Sequence, residues 1–170
     1  AAPELQPFMS ATAGNGFALI DSDGQPNNAD GNGAIVAEIT NATPIDLSAY
    51  PNVILTFSHS YRWWQEARGV RVSGDGGSTW TEYPITYTVA SGLEFPNSQP
   101  YPNLQNSSNP QEEVINISSA VGGSNNVLVQ FYYDDADFWG WYWVVDDVAI
   151  YEQPDNDIQI LSAYAAGTNN

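Results

Sequence analysis

The chain contains no cysteine and no lysine, one histidine and only three arginines among 170 residues. Without cysteine it has neither a disulfide nor a thiolate metal site. Twenty acidic residues against three basic ones leave a net charge of −17 and a pI near 4.1. That balance excludes the basic patches by which proteins hold nucleic acid or anionic membrane surfaces. It suits divalent cations or a salty exterior. No apolar run is long enough to cross a bilayer, and no signal peptide is present. The opening Ala1-Ala2-Pro3-Glu4 reads as a mature or trimmed terminus, so an export signal is expected to have been removed. Amphipathic helix periodicity is missing as well.

What remains is apolar, aromatic and patterned. Hydrophobic residues make up 42% of the chain and aromatics 13%, enough to build a core and to argue against disorder despite the acidity. At 18.5 kDa there is room for one domain. Residues 53–61 alternate strictly, with Val53, Leu55, Phe57, His59 and Tyr61 on one face and Ile54, Thr56, Ser58 and Ser60 on the other. Period two predicts a strand with one buried side. Further strands are predicted over 17–21, 34–40, 69–74, 80–89, 113–117, 126–133 and 142–151, rich in β-branched and aromatic residues. Between them, 22–33 is a loop by its Gly, Asn and Asp chemistry, and 90–111 is a long Pro/Asn/Ser/Gln loop of the kind that is functional or mobile. Short strands broken by turns predict an all-β, antiparallel sandwich of jelly-roll topology.

The chain divides into a loose lead-in over 1–16, the sandwich over 17–152, a linker over 153–157 and a fresh strand-like pattern over 158–170, Ile158-Gln159-Ile160-Leu161-Ser162-Ala163-Tyr164 and onward. The last reads as the start of a following module. No internal repeat is evident.

Three stretches together resemble a known family: Phe17-Ala18-Leu19-Ile20-Asp21-Ser22-Asp23-Gly24; residues 55–62 running into 72–80; and residues 141–151, with Val144-Val145-Asp146-Asp147-Val148 at their centre. Their order and spacing resemble the MAM-like and cleaved-adhesin jelly-roll modules of large secreted bacterial proteins, particularly those of the Bacteroidetes. The resemblance spans roughly residues 15–152 and is diffuse over 90–125. It implies a non-catalytic β-sandwich, frequently calcium-stabilised, that serves binding, adhesion or folding beside a peptidase, glycosidase or adhesin. The cysteines of animal MAM domains are missing, which favours the bacterial branch. The tail resembles the opening of an immunoglobulin-like module.

Calcium takes six to eight oxygens on a backbone with sharp turns. Asp21 and Asp23 flank a strand-to-loop change, with Asp30 close by in sequence, and related jelly rolls bring the final strand beside the first. Asp146 or Asp147 is then expected to complete the shell. Strand alternation points these two to opposite faces, so one should ligate and the other cap a turn. The competing reading makes Asp23 and Asp30 ordinary turn residues and Asp146 a hydrogen-bonded structural carboxylate. Asp134, Asp135 and Asp137 form a second, weaker acidic cluster, equally readable as a solvated loop. No Glu stands at EF-hand spacing.

His59, Arg62, Trp63 and Trp64 form a candidate cluster for a sugar or a carboxylated ligand. His59 nevertheless shares a register with Val53, Leu55 and Phe57, which favours a hydrogen-bonded structural histidine. Trp143 is expected in the core, while Trp139 and Trp141, flanking Gly140, are candidates for an exposed platform. Ser73-Gly74-Asp75-Gly76-Gly77-Ser78-Thr79-Trp80 matches the Asp-box pattern and should be structural: Asp75 bonding turn amides, the glycines supplying positive φ, Trp80 packing beneath.

Catalysis finds little footing. A Ser-His-Asp triad would have to use His59, and no nucleophile elbow accompanies it. The expected role is a calcium-stabilised accessory or adhesion module, outside the cell or at its surface, binding a glycan or a surface protein beside neighbouring domains of its own polypeptide. The alternatives are a structural spacer or self-assembly unit of the same fold, and a jelly-roll polysaccharide hydrolase or lyase, which would need two facing carboxylates in a groove or His59 with Tyr and Arg.

Overall fold

A computed structural model describes residues 7–22, 24, 35–63, 66–86, 105–135 and 140–153. The elements are β1 (Ala18–Asp21), β2 (Val36–Thr40), β3 (Val53–Trp63), β4 (Ala67–Ser73), β5 (Thr81–Pro84), β6 (Gln105–Asn106), β7 (Gln111–Asn116), a single-turn helix α1 (Ser118–Val121), β8 (Leu128–Asp134) and β9 (Tyr142–Glu152). Residues 154–157 of the linker and the strand-like pattern over 158–170 lie outside the described residues.

Two antiparallel sheets pack face to face. One runs β1-β9-β3, with β7 and the short β6 sharing the far edge of β3; the other runs β2-β8-β4-β5. Most connections cross between the sheets, and the final strand lies between the first and the third. This is the jelly-roll order that the strand pattern predicts. The core is built from the predicted alternation: Val53, Leu55, Phe57, His59 and Tyr61 of β3 are buried against Val70 and Val72 of β4 and Val129, Phe131 and Tyr133 of β8. Phe57 meets Phe131 edge to face, with ring centroids 5.1 Å apart.

Three local expectations change. The other face of β3 is also closed in part: Ser58 is bonded to Glu112 and Asp147, and Ser60 to Ser107 and Tyr142. The lead-in is not loose over its described part, because Phe8 is buried against Tyr142 and Val144 on the outer face of the first sheet. The long loop ends sooner than its composition implies, since β6 and the start of β7 pair with β3 within it.

β9 carries a bulge. Thr56 pairs with Ala149 and Ser58 with Asp146, so one residue of β3 faces two of β9, and Asp147 takes φ +52°. The bulge breaks alternation, and the Asp146 and Asp147 carboxylates reach the same strap of lead-in residues instead of opposite faces. The Asp-box turn forms as its chemistry requires. Asp75 accepts from the Thr79 amide and hydroxyl and from Ser73 Oγ; Gly76 and Gly77 take φ of +72° and +95°. The Trp80 ring lies against Gly77, where a β-carbon would come within 3.5 Å of it.

Candidate functional site

The connections β1–β2, β3–β4, β5–β6 and β8–β9 all leave from one end of the sandwich. Their roots show this: Asp21 faces Tyr142, Val36 and Ala67 both face Asp134, and Trp63 faces Gln105. At this end the interior turns from apolar to polar.

Asp135 is the centre of that change. It is fully buried, accepting from Ser22 Oγ at 3.0 Å and from the Ile35 amide at 2.9 Å. One carboxylate thereby ties together the two roots of the β1–β2 connection. The Ser22 amide is bonded in turn to the Trp141 carbonyl, which also receives the Tyr133 hydroxyl at 3.4 Å. Burial pushes the Tyr133 phenol well above its usual range, and the neighbouring Glu66 carboxylate adds to this.

Beside it, Arg68 continues the inward row of Val70 and Val72 yet carries a charge. Its Nη1 lies 3.3 Å from Glu66 Oε1, both side chains closed off from solvent, and its guanidinium sits 3.3 Å over the Tyr61 ring. Burial lowers the Arg68 pKa from its ordinary value, opposed by Tyr61 and Glu66. Glu66 also uses its backbone carbonyl to receive Trp63 Nε1 at 3.1 Å. On the outer face of the first sheet, Arg62 stacks 4.2 Å over the half-buried ring of Trp141.

His59 lies one step deeper. It is completely buried, its Nδ1 accepting from Trp143 Nε1 at 3.1 Å and its Nε2 lying 3.2 Å from Glu113 Oε1. Glu113 also receives Gln111 Nε2 at 2.8 Å and borders an open crevice between the β5 and β7 edges. With Nδ1 occupied by an N–H donor, the ring proton must reside on Nε2, facing the carboxylate. Such a ring has no free lone pair with which to activate a hydroxyl nucleophile or to ligate a metal.

The residues singled out from the sequence thus fall into three places. Asp21, Asp134 and Asp135 gather at the loop-bearing end, where the Asp21 carboxylate accepts from the Gly24 amide at 3.1 Å. Asp23, Asp30 and Asp137, with Trp64 and Trp139, lie outside the described residues. β9 does run beside β1, but Asp21 pairs with Tyr142, so Asp146 and Asp147 lie four and five residues farther along, about 13 Å or more away. There they hold Ser10, Ala11 and Thr12 at 2.6 to 3.2 Å. Asp146 is held below its ordinary pKa: desolvation acts to raise it, but bonds from Ser10, the Asp147 amide and Thr12 prevail. Among the described residues no three His, Cys, Asp or Glu side chains converge as a ligand set. Arg62, Trp63 and Trp141 are near the loop-bearing end, His59 is core, and Trp143 is core as expected, at 3% exposure.

Arg68 and Glu113 were not legible as site residues. Arg68 leaves one trace in the sequence, a charged residue in step with Val70 and Val72.

Neither the models of known protein families nor the curated proteins give a match to this chain. No helix among the described residues is long and apolar enough to cross a membrane. The fold defines the class: an all-β, antiparallel jelly-roll sandwich.

Proposed function

We propose that the chain is a non-catalytic binding module, with its recognition surface at the end of the sandwich where Arg62, Trp63 and Trp141 stand. The observation that carries this reading is the convergence of four connections on that end. Rigid scaffolds present binding residues on such loops, and a stacked Arg–Trp pair at their root offers both guanidinium donors and an aromatic edge. A glycan or a protein displayed at a cell surface is the ligand class, and the module serves neighbouring domains outside the cell. His59 gives a hydrolytic reading no support, because both ring nitrogens face partners inside the core. In a glycan array and a surface-protein pull-down, an Arg62→Ala/Trp141→Ala double variant should lose binding while melting near the native temperature. Binding unaffected by that change would sink the assignment of the surface.

Calcium belongs to the same proposal, at the Asp21–Asp135 corner and apart from Asp146 and Asp147. A buried carboxylate that joins both roots of the connection bearing Asp23 and Asp30 supports it. Chelation should lower the melting temperature of the native chain and leave Asp135→Asn unaffected. A native melting curve indifferent to chelator would refute the calcium assignment.

A second reading, a self-assembly unit, is favoured by the opposite feature of the fold. Edge strands β1 and β2 border one open side, where Leu19, Val36 and Ile39 are 46%, 61% and 55% exposed. Sedimentation that depends on concentration, and that is abolished by Ile39→Lys, would select it.

A further inference from the structure

The one histidine of the chain is buried in a manner that tolerates only one of its protonation states. Trp143 Nε1–H points at Nδ1 from 3.1 Å, with both groups in the core. A proton on Nδ1 would set two donors against each other at a place closed off from solvent. The other ring nitrogen faces the Glu113 carboxylate, whose side chain is 25% exposed beside the crevice between β5 and β7. The ring therefore has one nitrogen held by a donor, which demands neutrality, and one facing a carboxylate, which favours charge.

We propose that His59 is an acid-sensitive latch: while neutral it accepts from Trp143 and locks β3 to β9, and on protonation it gives up that bond in favour of Glu113. The seam it controls is central, because Trp143 lies opposite Tyr61 of β3 on one side and Ile20 of β1 on the other. The groups facing the ring from each packed element are consistent with a balanced device. β7 contributes Glu113 and Glu112, which favour the imidazolium; β4 contributes Arg68, which opposes it; β3 contributes the aromatic neighbours Phe57 and Tyr61; and β9 contributes Trp143. Burial is the largest influence and pushes the imidazole below its ordinary value of 6.5. The unfolded chain then binds the proton more readily than the folded one, so stability is fully present above about pH 6.5 and declines as pH falls below it.

The test uses the full chain, with urea midpoints and exchange of the Trp143 indole proton measured from about pH 7.5 to about pH 5.5, above the range where ordinary carboxylates titrate. The native protein should lose stability across this window, and the equilibrium opening reported by indole exchange, corrected for intrinsic rate, should rise about tenfold or more. His59→Gln, uncharged throughout, should show a flat profile. Glu113→Gln removes the carboxylate that favours the imidazolium; it should move the opening reported by indole exchange to lower pH, while the fall in urea midpoint keeps its onset near the unfolded value of about 6.5 and becomes deeper. A native profile that is flat, or a His59→Gln profile that falls as the native one does, overturns the proposal. If His59→Gln does not fold, Glu113→Gln decides alone, and an opening by indole exchange that keeps its native pH dependence overturns it.

Discussion

The indole N–H of Trp143 donates to Nδ1 of His59 across 3.1 Å in the core between the two sheets. It fixes the tautomer of the ring and turns its remaining proton toward Glu113. Trp143→Phe would keep most of the buried aromatic volume but remove the donor, leaving a buried acceptor without a partner. Such an orphan costs about 1–3 kcal/mol, and loss of ring volume adds to it. Urea denaturation at neutral pH should therefore show Trp143→Phe destabilised by at least about 1 kcal/mol; a change near zero would mean that the bond contributes nothing net.

The β9 bulge makes a second prediction. Asp147 holds φ +52°, a left-handed conformation that Asn and Asp adopt with little strain and β-branched residues resist. Asp147→Asn keeps an acceptor for Thr12 and should stay within about 1 kcal/mol of the native stability, whereas Asp147→Val should cost about 2 kcal/mol or more. Equal costs for the two substitutions would show that the conformation is not strained for valine.

Asp75 predicts the acid limb of stability. Bonds from the Thr79 hydroxyl and amide and from Ser73 lower its carboxyl from the ordinary 3.8 to about 2. The folded state therefore binds this proton less readily than the unfolded chain. The contribution is complete above about pH 4 and is lost as pH falls toward 2. In Asp75→Asn this portion of the pH dependence should vanish, leaving a shallower decline in the urea midpoint between those limits. The site is exposed, so solvent screens the effect, and a decline identical to that of the native protein would show that the turn bonds do not depend on charge.

The sandwich was readable because large apolar residues recur at every second position in β3 and β8 and over Val70 and Val72 of β4, and the Asp-box turn because its residues carry their own hydrogen-bonding chemistry. The site was less readable for specific reasons. Asp146 and Asp147 were separated by an alternation that a bulge cancels, and nothing local announces a bulge whose φ falls on an aspartate. Asp21 and Asp135 are over a hundred residues apart, and only strand pairing between β1 and β9 and between β2 and β8 brings their neighbourhoods together. Arg68 and Glu66 stand two apart and would be taken for solvated charges, since their burial depends on where Tyr61 and Tyr133 fall across the two sheets. Long-range pairing, not local pattern, decides all three.

Gly140 connects that pairing to the proposed recognition end. It lies between Trp139 and Trp141, the candidates for an exposed platform. Its place is set by space: a β-carbon there would collide with the Tyr133 hydroxyl and come within 3.3 Å of the Asp135 β-carbon. Tyr133 is 1% exposed and pinned in the core, so it has little room to retreat. Gly140→Ala should therefore displace Tyr133 or the backbone at Trp141, at a cost of about 1–3 kcal/mol. Because the Trp141 carbonyl holds the Ser22 amide, and Ser22 holds Asp135, the strain should travel to the Asp21–Asp135 corner. Gly140→Ala is thus expected to lower both the melting temperature and the response to chelator, while Gly14→Ala, whose β-carbon meets nothing within 4 Å, should change neither. A Gly140→Ala protein with native stability and an unaltered response to chelator would show that the close approach between Gly140 and Tyr133 relaxes at no cost, and that the corner is organised independently of Trp141.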